Sequence, residues 1–159
     1  MNKKTILITG AASGIGRETA LFFARKGWFV GIVDVNESGL KTLASEIGSA
    51  SCFSGIMDVT DPESVKTEID AFAATTGGRL DVLLNNAGIL KFGLFKNVDL
   101  KDHLQIVDVN IRLPELRLLC AAISEKNTGA RIINIVINLF LVWVRNSASI
   151  PPPSTPCPL

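Results

Sequence analysis

The 159 residues include no tyrosine and a single histidine, and aromatic side chains make up only 6% of the chain. No phenol is at hand for acid–base work. His103 stands beside Lys101 and Asp102 on the polar side of an expected helix, where it reads as a solvated ring. An excess of one charge is also missing: 16 Lys and Arg against 15 Asp and Glu leave a net +1. That balance supports neither a nucleic-acid partner nor a membrane surface. Cys52, Cys120 and Cys157 are odd in number, far apart and without a CxxC pair. They offer no zinc site or disulfide framework and read as buried or incidental thiols in a reducing cytoplasm. The apolar run near the start, in MNKKTILITG, is four residues long before Thr9 and Gly10, too short for a signal peptide. With 47% hydrophobic residues, what remains is one globular domain with one core.

That domain is organised around Ile6 to Gly16, ILITGAASGIG. Thr5 to Ile8 is apolar and largely β-branched without polar alternation, the pattern of a strand buried on both faces. Gly10, Gly14 and Gly16 follow, and Arg17 to Lys26 then shows helical spacing through Ala20, Leu21, Phe23 and Ala24. A strand that delivers the backbone to a glycine turn, followed by a helix with unpaired N–H groups, suits the pyrophosphate of a dinucleotide. The TGxxxGIG spacing of Thr9, Gly10, Ser13, Gly14, Ile15 and Gly16 resembles that of the short-chain dehydrogenase/reductase family.

Strands and helices alternate from there. Trp28 to Val33 forms a second strand ending in Asp34; Glu37 to Ile47 forms a helix with Leu40, Leu43, Ala44 and Ile47 inward. Ala50 to Met57 is a weaker third strand, interrupted by Ser51, Ser54 and Gly55. Asp61-Pro62 opens the next helix as N-cap and first-turn proline, Val65, Ile69, Phe72 and Ala73 give it an apolar stripe, and Gly77-Gly78 closes it. Leu80 to Leu84 is a fourth strand, a long helix covers about Leu100 to Ser124, and Arg131 begins a fifth strand. Repeated βαβ units predict an α/β, doubly wound parallel sheet of the Rossmann type, with helices on both faces and strand order 3-2-1-4-5.

Asp34 stands 18 residues past Gly16 at a strand end, where a carboxylate can accept hydrogen bonds from both ribose hydroxyls of an adenosine. The same charge repels a 2′-phosphate, and the neighbours Ser13 and Val35 offer no basic partner for one. NAD is therefore expected over NADP. Capping of the helix near Asn36 is the alternative role for Asp34, and the two can coexist. The resemblance implies that Asp58 and Val59 hold the adenine ring; a solvated turn aspartate is the other reading of Asp58. Asn85-Asn86-Ala87-Gly88 matches the family's NNAG motif unchanged, and its carboxamides can bond the backbone of neighbouring strands. Pro114 would clash with the carbonyl of Asn110 in a regular helix, so a distortion is expected at Asn110. In the family, an asparagine at this place holds a water in a proton relay, which makes Asn110 the candidate catalytic residue. No metal site is indicated.

Past Ile135 the family pattern fails. Serine at the end of the fifth strand and a later YxxxK pair are expected by resemblance, yet the chain runs VINLFLVWVRNSASIPPPSTPCPL. Residues 1–135 thus read as the nucleotide-binding part of the fold, its C-terminal part missing, and 136–159 as an aberrant apolar, then proline-rich tail. Restoring one lost base near codon 136 can recover the family pattern. With Ser149 as TCT, Ile150 as ATA, the prolines as CCG, CCA and CCA, and Ser154 as AGC, the shifted codons spell Y-T-A-T-K over 150–154. Because Trp143 has a single codon, the same shift turns Val144 into glycine without any free choice. A frameshifted or mis-spliced chain is therefore favoured over an evolved short protein. The resemblance implies an oxidoreductase moving hydride between a nicotinamide and a small alcohol or ketone, in a homo-oligomeric parent. Without its tyrosine and lysine this chain is expected to be inactive and to aggregate through the apolar stretch 132–144. A non-catalytic NAD-binding module and an interaction protein using 132–144 remain the alternatives.

Overall fold

The computed structural model describes residues 3–90, 99–111 and 130–135. Five strands, β1 (Thr5–Thr9), β2 (Phe29–Asp34), β3 (Cys52–Ile56), β4 (Val82–Asn85) and β5 (Arg131–Asn134), form one sheet in the order β3-β2-β1-β4-β5. Every pairing is parallel. The strand order and sheet type are those expected from the sequence.

Parallel pairing requires a crossover between strands, and the helices that supply it cover both faces of the sheet. Ile6 and Ile8 of β1 pack with Val30, Ile32, Val82 and Leu84 under Ala20 and Leu21 of α1 (Gly14–Arg25) and Leu40 and Leu43 of α2 (Glu37–Ile47). Leu7, between them in sequence, points the other way, joining Phe29, Val33 and Leu83 under Val65, Ile69 and Phe72 of α3 (Pro62–Thr76). This alternation explains why β1 is apolar at every central position. Gly31 is needed where β2 runs under α3, because a Cβ there would stand 2.6 Å from the Phe72 ring.

The boundaries shift in instructive ways. α1 begins at Gly14, a turn earlier than its apolar spacing indicates, so two glycines belong to its first turn. The serine-rich start of the third strand is instead a 3-10 turn at Ser49–Ser51. Asp61 caps α3 as expected, accepting from the Glu63 N–H at 3.1 Å, with Pro62 following and Gly77 in the left-handed region. Thr76 joins the buried stripe of α3 because its hydroxyl donates back to the Phe72 carbonyl at 3.1 Å. The last described helix, α4 (Leu100–Asn110), ends at Asn110; its expected continuation to Ser124 lies outside the described residues, as does the tail 136–159.

At the opposite end of the sheet from the glycine turn, Asp81 ties β4 to β1. Its carboxylate accepts from the Thr5 N–H at 2.7 Å and from Arg79 at 2.8 and 2.9 Å. Burial alone would raise this carboxyl's pKa, but the Arg79 guanidinium and the Thr5 donors outweigh it and hold it below the ordinary value.

Candidate functional site

The C-terminal ends of β1, β2, β3 and β4 lie along one edge of the sheet, and there the sequence-selected residues gather. The side chain of Thr9, the last residue of β1, accepts two backbone bonds from β4's continuation, from the Asn86 N–H at 3.0 Å and the Ala87 N–H at 2.9 Å. Asn86 returns the bond, donating its carboxamide N–H groups to the carbonyls of Thr9 (3.0 Å) and Gly10 (3.1 Å). Asn85 reaches the other way, to the Asn134 side chain of β5 at 2.8 Å. The two consecutive carboxamides thus bind the strands on either side of β4.

This lock brings backbone against backbone. A Cβ on Gly10 would stand 2.7 Å from the Cα of Ala87, and one on Gly16 would stand 2.4 Å from the Gly10 carbonyl oxygen. Gly14 shares the left-handed φ of Gly10, +54° against +64°, but nothing lies within 4 Å of where its Cβ would be. The turn is packed on its inner side and open on its outer side, where the Ser13 side chain makes no cap bond to α1. An anionic group fits that opening, facing the N–H groups of the first helical turn.

Asp34 is positioned by the same turn. One carboxylate oxygen accepts from the Ala12 N–H and the other from the Asn36 N–H, each at 2.9 Å. The α2 cap itself is Asn36, whose side chain accepts from the Gly39 N–H, so Asp34 is not the capping residue. Asp58, exposed at the end of β3, closes a turn by accepting from the backbone and hydroxyl of Thr60 at 2.8 and 2.7 Å. These residues line a groove of about 1180 Å³ whose walls include Gly10, Asp34, Asp58, Val59, Ala87 and Gly88. Val35, 67% exposed, also lines it and offers an apolar surface beside the Asp34 carboxylate.

Asn110 ends α4 with its carboxamide paired to the backbone of Ile89, accepting from the N–H at 2.9 Å and donating to the carbonyl at 3.0 Å. The pairing anchors α4 to the chain leaving β4. His103 is half-buried rather than fully solvated. Burial pushes the Cys52 thiol up to about 11, which suits an inert side chain; Cys120 and Cys157 lie outside the described residues. Among the described residues no group of His, Cys, Asp and Glu could hold a metal, and no helix is long and apolar enough to cross a membrane. Sequence reading missed the α4 residues of the groove wall, among them Lys101 and Gln105. Their positions on an exposed helix face gave no signal of their own.

The parallel sheet in the order β3-β2-β1-β4-β5 with helices on both faces defines a Rossmann-type fold. The chain belongs to the short chain dehydrogenase family, whose model matches residues 4–139. It is similar to D-threitol dehydrogenase of Mycolicibacterium smegmatis, with 34% identity over 140 residues covering 85% of this chain and 53% of that protein. The mitochondrial borneol dehydrogenase of Lavandula x intermedia is 40% identical over 110 residues, covering 68% of this chain and 41% of that one. A short-chain dehydrogenase/reductase from Mycobacterium marinum superposes with a TM-score of 0.76 at 29% identity, covering 82% of this chain and 54% of that structure. The chain therefore spans about half the length of these proteins or less.

Proposed function

We propose that this chain is the nucleotide-binding part of an NAD-dependent oxidoreductase and binds the adenosine half of the dinucleotide in the groove between the strand ends and α4. The observation that carries this reading is the Asp34 carboxylate, held against the glycine turn by the Ala12 N–H while lining the groove. A ribose diol fits that position, and a 2′-phosphate meets a fixed negative charge. Asp58, Val59 and Val35 would flank the adenine. Ser13, Gly14 and Ile15 would face the pyrophosphate, and Thr9, Asn86, Ala87 and Gly88 set the backbone on which it rests. NADP is disfavoured on the same argument.

When bound, the nicotinamide supplies hydride transfer to or from an alcohol or ketone. Asn110 is the one residue of this chain proposed for the proton relay. No tyrosine occurs anywhere in the sequence, so the phenolic general acid/base of the family is lacking. The chain as it stands is thus proposed to bind nucleotide, in the cytoplasm, without turnover. Calorimetric titration with NADH, alongside absorbance assays with simple alcohols and NAD, tests both halves. Binding without turnover is expected, and turnover by a preparation free of host dehydrogenases would overturn the catalytic half. Sequencing the coding DNA across codons 134 to 140 tests the frameshift; a frame-repaired chain carrying tyrosine at 150 and lysine at 154 is expected to gain alcohol-dependent reduction of NAD.

A further inference from the structure

The wall of the groove opposite the strand ends belongs to α4. Leu100, Lys101, Leu104, Gln105 and Asp108 recur at the spacing of one helical face, and all of them line the groove. Asp34, Asp58, Asp102 and Asp108 line it too, so among the described residues Lys101 is the one cationic side chain there. Its state differs from that of Lys41 and Lys66, and Lys3, Lys4 and Lys26 likewise form no ion pair among the described residues. Lys41 and Lys66 are each paired with a carboxylate one turn away, Glu37 at 2.7 Å and Asp70 at 2.6 Å. The positions three and four residues beyond Lys101 are Leu104 and Gln105, so its own helix places no carboxylate there. No ion pair of Lys101 is formed among the described residues.

We propose that Lys101 is the counter-charge for nucleotide phosphate in this groove, and so a specificity-determining residue acting against Asp34. The inference rests on the nucleotide reading of the groove. No residue near Asp34 in sequence is basic, but the fold brings in a cation from 67 residues away to line the same space. An ammonium on a four-carbon stem sweeps a wide volume and meets a phosphate as a point charge. With the Asp34 and Asp58 carboxylates lining the same groove, each phosphate charge added to the ligand raises the cost of binding. The contribution of Lys101 must therefore grow with the ligand's phosphate charge.

The test is calorimetric titration of the full chain and its Lys101→Gln variant with adenosine, NADH and NADPH, each at low and high salt. The expected result is a graded loss in the variant: adenosine unchanged, NADH weakened by roughly threefold and NADPH by roughly tenfold. The losses shrink at high salt. Lys101→Arg retains the NADPH affinity, and Lys66→Gln, altered on α3 away from the groove, changes none of the three. An equal loss for all three ligands, or none, overturns the inference. If the unmodified chain binds none of them, the nucleotide reading fails and the inference falls with it. If it binds them and the graded loss is absent, only the inference fails.

Discussion

Asn110 pairs with Ile89 as one strand residue pairs with another, its carboxamide accepting from the Ile89 N–H and donating to the Ile89 carbonyl at 2.9 and 3.0 Å. The two residues are 21 apart, so a side chain at a helix end holds the backbone of the chain leaving β4. Asn110→Ala leaves both backbone groups without that partner, and a loss of about 1–3 kcal/mol in unfolding free energy is expected. Urea denaturation measures it. Hydrogen exchange at the Ile89 amide should quicken in the same variant, and unchanged exchange would show that the pairing does not hold this segment.

Thr9 makes a sharper case because it is fully buried and its one oxygen serves two N–H groups. Thr9→Val keeps the shape but strips both donors of their acceptor, with an expected cost of about 2 kcal/mol or more. Thr9→Ser preserves the oxygen and should lie much closer to the unmodified chain in thermal unfolding. Equal melting temperatures for the valine and serine variants would contradict the bonding described.

Removing the carboxylate in Asp34→Ala should narrow the proposed preference for NADH over NADPH. Part of the loss in NADH affinity will come from the turn itself, since the Ala12 and Asn36 N–H groups lose their acceptor. Titration of both nucleotides against both chains separates the effects, and tighter NADPH binding by the unmodified chain would refute the assignment.

The pH dependence of stability has a definite sign at Asp81. Its folded-state pKa lies below the ordinary 3.8, so its contribution is fully present above that value and is lost as pH falls through the folded value. Glu68 runs the opposite way: burial raises its carboxyl pKa, so the ionised form costs stability above the ordinary 4.5. Acid unfolding of Asp81→Asn should therefore show a flatter pH profile below pH 4 than the unmodified chain, while Glu68→Gln should be the more stable near neutrality.

Ile132 and Ile133 of β5 are 42% and 47% exposed, although their strand belongs to a parallel sheet, the type usually covered on both faces. We expect the chain to self-associate through this region, and sedimentation at micromolar concentration to show larger species that Ile132→Lys diminishes. The stretch 136–144 that continues it lies outside the described residues; Leu139→Lys and Leu141→Lys are expected to act in the same direction. A monomeric unmodified chain would refute the expectation.

Much of this architecture was legible because its signals are local. A β-branched run before glycines, an Asp-Pro pair and a double glycine each specify a conformation from neighbouring residues alone, and repeated crossovers imply parallel pairing, with the order expected of the Rossmann type. What could not be read depends on distant pairing. Thr9 carries no mark in sequence of its two bonds, because its partners come from the chain leaving β4, and Asn110 shows in sequence an expected distortion but not the backbone that its carboxamide binds. The groove wall on α4 was hidden for a similar reason: Lys101 and Gln105 have the composition of any solvated helix face until β2 and β3 are set opposite them.

The central place of β1 bears on the order in which the chain can assemble during synthesis. β1, β2 and β3 are successive in sequence and adjacent in the sheet, so their pairing can begin once Ile56 has emerged. β4 then joins the opposite side of β1, leaving the earlier pairs intact. The Asp81 carboxylate and the Thr9 hydroxyl lie at the two ends of that second seam, so a growing chain has the residues for both limits of the β1–β4 junction before β5 is made. The strand-end side of the groove is then in place ahead of α4, which supplies its far side and is itself made before β5.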